Sequence, residues 1–277
     1  MGLRYIREVV VTSRDVAAAA AFHQEALGLE VLEGDPSGTE VLLGVPGAPG
    51  GRLRLVAGDA SGAPPEPPAA WDLGARLLGI YSHDLDETAR LMAAAGGAPR
   101  TPQTYAYGAS SLSELVGCGT DGVWWTIPLA VPGAHRPSAA YEAEPGRLHS
   151  ELHTAVLVPE DHDAAVAVFT AAGLTALFDG TMSGPPFDEL VGMPADASLR
   201  LTFLVGPDHE AARLEVMSFT GVPTIDRSGD GIGITRLVFV ADDPGATREA
   251  LVAAGAQELG DGVLRGPVGV EIEVVAP

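Results

Sequence analysis

The sequence predicts an α+β fold assembled from four copies of one βαβββ unit, and three observations carry that prediction. Short runs of β-branched and apolar residues with strand-like patterning recur along the chain, each followed by an Ala-rich segment with helical spacing. An acidic residue able to cap a helix stands at the start of each such segment, and a glycine able to end it stands at the finish. Stretches rich in Pro and Gly separate one copy from the next.

In unit one, "EVVVTSRDVAAAAAFHQEALGL", Asp15 is the predicted cap and Gly28 the stop. In unit two, "RLLGIYSHDLDETARLMAAAGG", Asp84 and Gly96 take these places, and in unit three, "HTAVLVPEDHDAAVAVFTAAGL", Asp161 and Gly173 do. In unit four, "RLVFVADDPGATREALVAAGA", Asp243 caps, Pro244 fills the first turn, where its missing N–H costs nothing, and Gly255 ends the helix. Three strands are predicted after each helix, and the last is the clearest: 52–57, 123–129, 213–219 and 270–275. Linkers fall at 61–70, 131–146 and 220–231. The middle one is the strongest boundary. It predicts an N-terminal domain over 1–130 (units 1–58 and 74–130), a linker over 131–147, and a C-terminal domain over 148–277 (units 148–219 and 232–277).

Length and charge limit the function. The 277 residues suit two domains, and although 46% are hydrophobic, no run approaches the roughly 18 apolar residues of a membrane span. The sequence therefore predicts a soluble protein; with no leader pattern at the start and a single cysteine, Cys118, the expected compartment is the cytoplasm. Sixteen basic residues, all Arg, stand against 37 acidic ones, a net charge of -21. Phosphate and anionic lipid repel such a surface, so neither nucleic acid nor membrane is an expected partner. Absence of Lys and Asn, with abundant Ala, Gly, Pro and Arg, reads as codon usage in a GC-rich genome.

With the helix-to-Gly-Leu segments of units one and three the most typical, the chain resembles the vicinal oxygen chelate superfamily over nearly its whole length. That superfamily includes glyoxalases, bleomycin-resistance proteins, extradiol dioxygenases and methylmalonyl-CoA epimerases. The resemblance implies two tandem glyoxalase-like domains, each pairing two units so that curled mixed sheets surround a cavity. It also implies that metal ligands, where present, come from the first and last strands of a unit. His153 lies 20 residues before Gly173, as Glu8 lies 20 before Gly28, so the resemblance puts His153 at a first-ligand position. Residues 153, 155 and 157 would share one strand face.

On the closing strands Glu215 and Glu273 stand at ligand-type positions, with Glu271 one step outward on the face of Glu273. His153, Glu215 and Glu273 would form a partial shell for Zn, Fe, Mn or Ni. Arg236 stands where a second histidine is expected and cannot lose its proton to become a ligand. Either it grips a substrate carboxylate or enolate beside the metal, or it neutralises the glutamates and replaces the metal. The matching N-terminal positions, Glu8, Arg54, Leu77 and Thr126, make no metal set. They imply a structural repeat or a ligand pocket flanked by Trp124, with Glu8 and Arg54 able to neutralise one another.

With a metal, the resemblance favours isomerase, epimerase or lyase chemistry on a small oxygenated metabolite, Glu273 or Glu215 moving the proton. The alternatives are metal-free binding and sequestration of a natural product, metal-free catalysis by His153 with Arg236, and, less favoured, extradiol oxygen insertion. His149 reads as a linker or solvent residue, and Cys118 has no evident activating base. The glycine-rich 229–233 segment lacks the strand-loop-helix context of a phosphate loop. Pocket shape depends on loops 34–38, 61–72, 101–110 and 180–190, and either a monomer or a homodimer is compatible with internally paired units.

Overall fold

The computed structural model describes residues 2–59, 67–107, 110–133, 135–207 and 211–277. Of the loops expected to shape a pocket, residues 61–66 and 108–109 lie outside the described residues, as does residue 134 of the central linker.

Unit one runs β1 (Leu3–Ser13), α1 (Val16–Leu27), β2 (Glu30–Gly34), β3 (Glu40–Gly44) and β4 (Arg52–Ala57). Unit two runs β5 (Gly74–Gly79), α2 (Leu85–Ala94), β6 (Ala98–Pro99), β7 (Gln103–Tyr107), β8 (Ser110–Cys118) and β9 (Trp124–Pro128), and a short α3 (Ala139–Ala143) follows it. Unit three runs β10 (Thr154–Val158), α4 (His162–Ala171), β11 (Thr175–Ser183), an inserted α5 (Phe187–Val191), β12 (Ser198–Val205) and β13 (Arg213–Thr220). Unit four runs β14 (Gly233–Ala241), α6 (Pro244–Ala253), β15 (Gln257–Gly260), β16 (Val263–Arg265) and β17 (Glu271–Val275). All four predicted caps are in place: Asp15, Asp84, Asp161 and Asp243 each accept a hydrogen bond from the backbone N–H three residues on, at 2.9–3.0 Å. Gly28 ends α1 in the left-handed region at φ 66°, where a Cβ would be strained.

The strands form two mixed sheets, one in the order β15-β16-β17-β14-β1-β4-β3-β2 and the other β11-β12-β13-β10-β5-β9-β8-β6, with β7 on β8. This differs from the grouping expected from the linkers. The first sheet joins unit one to unit four, and the second joins unit two to unit three. Each junction is an antiparallel pairing of first strands, β1 with β14 and β5 with β10. The connections explain how the chain does this. The segment before β5 and the segment before β14 run side by side, Leu73 N–H donating to Ile225 O at 2.9 Å and Arg227 N–H to Leu73 O at 3.1 Å. Between units two and three, an antiparallel bridge of Ser82 with His149 instead folds the chain straight back beside its own sheet. Units two and three, which the 131–147 linker was expected to separate, thus share one sheet.

The helices pack between the sheets, α1 against α2 and α4 against α6, and one continuous core runs through them. Alanine suits this layer: Ala19, Ala20 and Ala26 of α1 and Ala165 of α4 are buried and let backbones approach closely. Larger side chains fill what remains, Phe169 of α4 meeting Phe239 of β14 with ring centroids 6.0 Å apart. The outward faces of both sheets are left to form concavities. Truncating the fully buried Phe169 to Ala is expected to destabilise the protein by about 3–5 kcal/mol, whereas removing the Asp243 cap costs about 1 kcal/mol. Urea unfolding of the two variants beside the parent checks both values.

Candidate functional site

Strand register decides which side chains reach each concavity. In the parallel pairs, Glu8 lies opposite Arg52, Leu77 opposite Trp124, Thr154 opposite Arg213, and Arg236 opposite Glu271. Two residues further along, the last strands present Arg54, Thr126, Glu215 and Glu273. The equivalent first-strand residues are therefore Glu8, Leu77, Thr154 and Arg236. His153 is one residue short of the predicted position, because the span from helix cap to closing glycine is one residue longer in unit one, Asp15 to Gly28, than in unit three, Asp161 to Gly173, while the strand-to-cap spacing is the same. The expected shared face of 153, 155 and 157 does not form either. Ala155 and Leu157 belong to the helix-side core, while Val156 and Val158 belong to the cavity-side cluster.

The first sheet's concavity collects Glu8, Arg54, Arg236, Glu271 and Glu273 with Arg7 and Glu40 around about 580 Å³. Its glutamates are paired with two of its arginines. Arg54 forks onto Glu8, Nε to Oε1 at 2.5 Å and Nη2 to Oε2 at 3.1 Å, and also donates to Glu40. Arg236 donates to Glu271 through Nη2 at 2.7 Å and Nε at 2.9 Å, and to Glu273 at 3.4 Å. Glu8 and Arg54 neutralise one another, as the sequence suggested, and Arg236 faces the glutamates of its own unit.

The second sheet encloses a larger cavity of about 930 Å³, walled by apolar side chains such as Leu77, Val116, Leu201, Phe203 and Met217. α5, inserted between β11 and β12, covers one end, Phe187 meeting the Tyr105 ring edge-on at 5.3 Å. The central connection supplies Val131, His135 and Arg136 to the wall. Polar groups are few and fixed. Arg213 lies over the Phe203 ring at 3.7 Å and donates to buried Glu215, Nη2 at 2.8 Å and Nε at 3.0 Å. Arg136 donates to the carbonyls of Ala211 at 2.7 Å and His153 at 3.2 Å, and burial pulls its pKa down to about 10. Glu114 is buried opposite them, with the hydroxyls of Tyr105 and Thr126 donating to its two oxygens. Burial holds its carboxyl above the usual range.

His153 reaches this cavity in spite of its register. Its ring lies over Gly79, with Cε1 and Nε2 3.2 Å from where a Cβ would stand, and stacks on Tyr81 at 4.1 Å. A Cβ at 79 would meet the Thr154 Cγ2 at 2.4 Å and crowd the imidazole, so the glycine lets both side chains pack there. Neither ring nitrogen has a hydrogen-bond partner among the described residues, and burial beside Arg213 and Arg136 drives its pKa well below the ordinary imidazole value. The ring is neutral and presents one donor and one acceptor.

The predicted ligand set does not assemble. His153 and Glu215 line the second sheet's cavity, whereas Glu273 and Arg236 lie in the first sheet's concavity. In the second cavity the corner positions are Leu77, Thr126, Thr154 and Glu215, and Glu215 is already bonded to Arg213. In the first, each carboxylate at a corner faces an arginine. Among the described residues no group of three or more His, Cys, Asp or Glu is placed to hold a metal ion. The residues present do not fit a resident divalent ion in either concavity, and no chemistry is routed through one.

Other expectations also change. Trp124 packs against the cavity-side cluster, but its indole N–H donates to Pro68 O at 2.8 Å, Arg100 lies over its ring, and it does not line the cavity. His149 is buried, not solvent-facing, with Nε2 2.8 Å from the Thr88 hydroxyl. Cys118 is buried and its thiol is pushed up to about 11, against a nucleophilic role. Sequence reading missed Glu114, Arg136 and Arg213. An acid embedded in the apolar strand run "ELVGC" was the available signal for Glu114; Arg136 sits in a connection and carried none.

No family model and no curated protein matches the sequence. The fold does match solved structures. Glyoxalase I from Zea mays superposes with a TM-score of 0.65 at 15% identity, covering 98% of this chain and 92% of that one. A candidate dioxygenase from Bacillus subtilis gives 0.63 at 11% identity, covering 99% and 86%. The chain therefore has the vicinal oxygen chelate fold, with mixed α+β architecture over two curled sheets.

Buried imidazoles make stability depend on pH. Burial pushes His23 and His149 down to about 4 and His153 lower than its ordinary value, while unfolded imidazoles titrate near about 6.5. Below that value the unfolded state takes up protons that the folded state refuses. Stability is thus whole above pH about 6.5 and falls by about 1.4 kcal/mol per pH unit for each imidazole on the way down toward the lowered values. The His149→Gln variant is expected to show a shallower acid limb between pH 6.5 and 4.5, read as urea midpoints across that range.

Proposed function

We propose that this protein binds a bulky, mostly apolar small molecule in the cavity of the second sheet without the help of a resident metal ion. The observation that carries this reading is the cavity itself: about 930 Å³, apolar on most of its wall, with a few oriented polar groups and no ligand set at its corners. That volume suits a polycyclic or otherwise drug-sized molecule. Phe203, Phe187 and Tyr105 offer aromatic faces and edges to a flat ring system. His153, Glu114 and the Arg213–Glu215 pair would fix its orientation through hydrogen bonds to hydroxyl or carbonyl groups. The reading belongs with binding and sequestration rather than with metal-dependent isomerase or lyase chemistry, which required His153, Glu215 and Glu273 in one place.

A second reading rests on one observation, the unpartnered neutral imidazole of His153. A neutral imidazole with no partner on its unprotonated nitrogen can accept a proton from a bound ligand, and Glu114, whose carboxyl is held above the usual range by burial, is the acid that lines the same cavity. Arg213 or Arg136 would face the developing oxyanion in this scheme; Arg236 lies under the other sheet.

Titration of the protein with the neutral apolar probe N-phenyl-1-naphthylamine tests the binding reading. Saturable fluorescence enhancement is expected, unaffected by dialysis against EDTA. Leu201→Trp, which fills the cavity, should weaken it at least about tenfold. Loss of binding on chelation, or about one equivalent of a transition metal that disappears in His153→Ala, would overturn it. Catalysis is separated from binding by turnover: a ligand that is bound but returned unchanged excludes the second reading for that ligand.

A further inference from the structure

A smaller pocket of about 250 Å³ lies on the seam between the sheets, away from both concavities. Its walls come from β5, from the connection into unit four with the start of β14, from the end of β16 and from the turn before β17, and Arg76, Arg227 and Arg265 all line it. Three arginines lining one small pocket stand out in a chain with 16 basic residues and a net charge of -21.

These arginines lack the close carboxylate that several others hold, and Arg76 and Arg227 share an unpartnered buried Nε with Arg52 and Arg100, which lie outside this pocket. Arg54, Arg90, Arg200, Arg213 and Arg236 each donate to a carboxylate at 3.0 Å or less. Arg76 is 5% exposed and makes no ion pair among the described residues; Nη2 donates to Leu73 O at 3.0 Å and Nε has no partner. Arg227 has carboxylate oxygens of Asp72 at 3.6 Å and Asp230 at 3.7 Å, beyond hydrogen-bond reach, and its buried Nε is likewise unpartnered. The Arg265 side chain, at the end of β16, makes no ion pair or hydrogen bond among the described residues. Glu271 is the only carboxylate among the lining residues described, and Arg236 holds it at 2.7 Å. Burial lowers the Arg76 pKa, and Asp230, Asp72 and Asp226 oppose that shift from a distance without a hydrogen bond to it.

A buried cation with free donors and no contacting anion is costly, and a bound anion removes that cost. Three forks arriving from three elements call for a ligand with more than two acceptor oxygens around one centre. A tetrahedral oxyanion satisfies this, whereas a planar carboxylate does not. We propose that this pocket binds a phosphate group, either the free ion or the end of a small phosphate monoester, whose substituent the remaining volume accommodates. The glycine-rich 229–233 segment forms part of the wall, so the neighbouring cations, rather than any strand-loop-helix cradle, are what would recognise the phosphate.

Isothermal titration of the full-length protein with inorganic phosphate, and separately with glycerol phosphate, tests this at constant ionic strength set with potassium chloride. One saturable site is expected in at least one titration. The stronger of the two ligands tells whether the free ion or the ester is the natural one. Arg265→Gln, at an exposed position that folding does not depend on, should weaken binding at least about tenfold, and Arg76→Gln should abolish it. N-phenyl-1-naphthylamine binding in the large cavity should be the same in Arg265→Gln as in the parent, which separates this proposal from the one above. No saturable heat from either ligand up to about 10 mM, or equal affinity in the parent and in Arg265→Gln and Arg227→Gln, would overturn it.

Discussion

The antiparallel pairing of first strands from different units, β1 with β14 and β5 with β10, is the constraint on which the rest of the molecule depends. Each unit alone presents an unpaired edge strand and a half-covered sheet, which is unstable in water. Pairing closes the edge and places two units side by side over one concavity. Because side chains alternate along a strand, the same step decides which residues share a space. Glu8 and Arg54 meet Arg236 and Glu273; Leu77 and Thr126 meet Thr154 and Glu215.

The two concavities are consequently different solvents. In the first, four glutamates accept hydrogen bonds from two arginines, doubly at Glu8 and Glu271 and singly at Glu40 and Glu273. In the second, a few polar groups are held within apolar walls, where the low dielectric makes every unsatisfied donor or acceptor count. Glu114 is satisfied by Tyr105 and Thr126, and Glu215 by Arg213. His153 is the exception, an imidazole held by stacking on Tyr81 and by the missing Cβ of Gly79 rather than by hydrogen bonds. Both of its ring nitrogens are buried and without a partner among the described residues.

The segments between units do more than connect. The stretch after β9 contributes His135 and Arg136 to the cavity wall, and Tyr81 links the two histidines, with His135 at 5.5 Å on one side and His153 at 4.1 Å on the other. The stretch before β14 carries Arg227 into the seam between the sheets. Polar residues in these connections are positioned by long-range hydrogen bonds such as Leu73 to Ile225, which no local pattern announces.

Local signals were therefore legible and long-range ones were not. Helix entry is chemistry within one turn: an Asp side chain reaching the N–H three residues on, as Asp15, Asp84, Asp161 and Asp243 all do. Closing strands follow from a run of a few residues, and 52–57 is observed as Arg52–Ala57. The sequence by itself thus determined four βαβββ units, their order and the resemblance that implied their fold. Only the tertiary structure decided that unit one pairs with unit four, that His153 stands a residue out of register, and that Glu273 and Glu215 face different spaces. The physical reason is that edge pairing and register are settled by contacts between residues more than a hundred positions apart in the case of β1 and β14, and such contacts leave no periodicity in the chain.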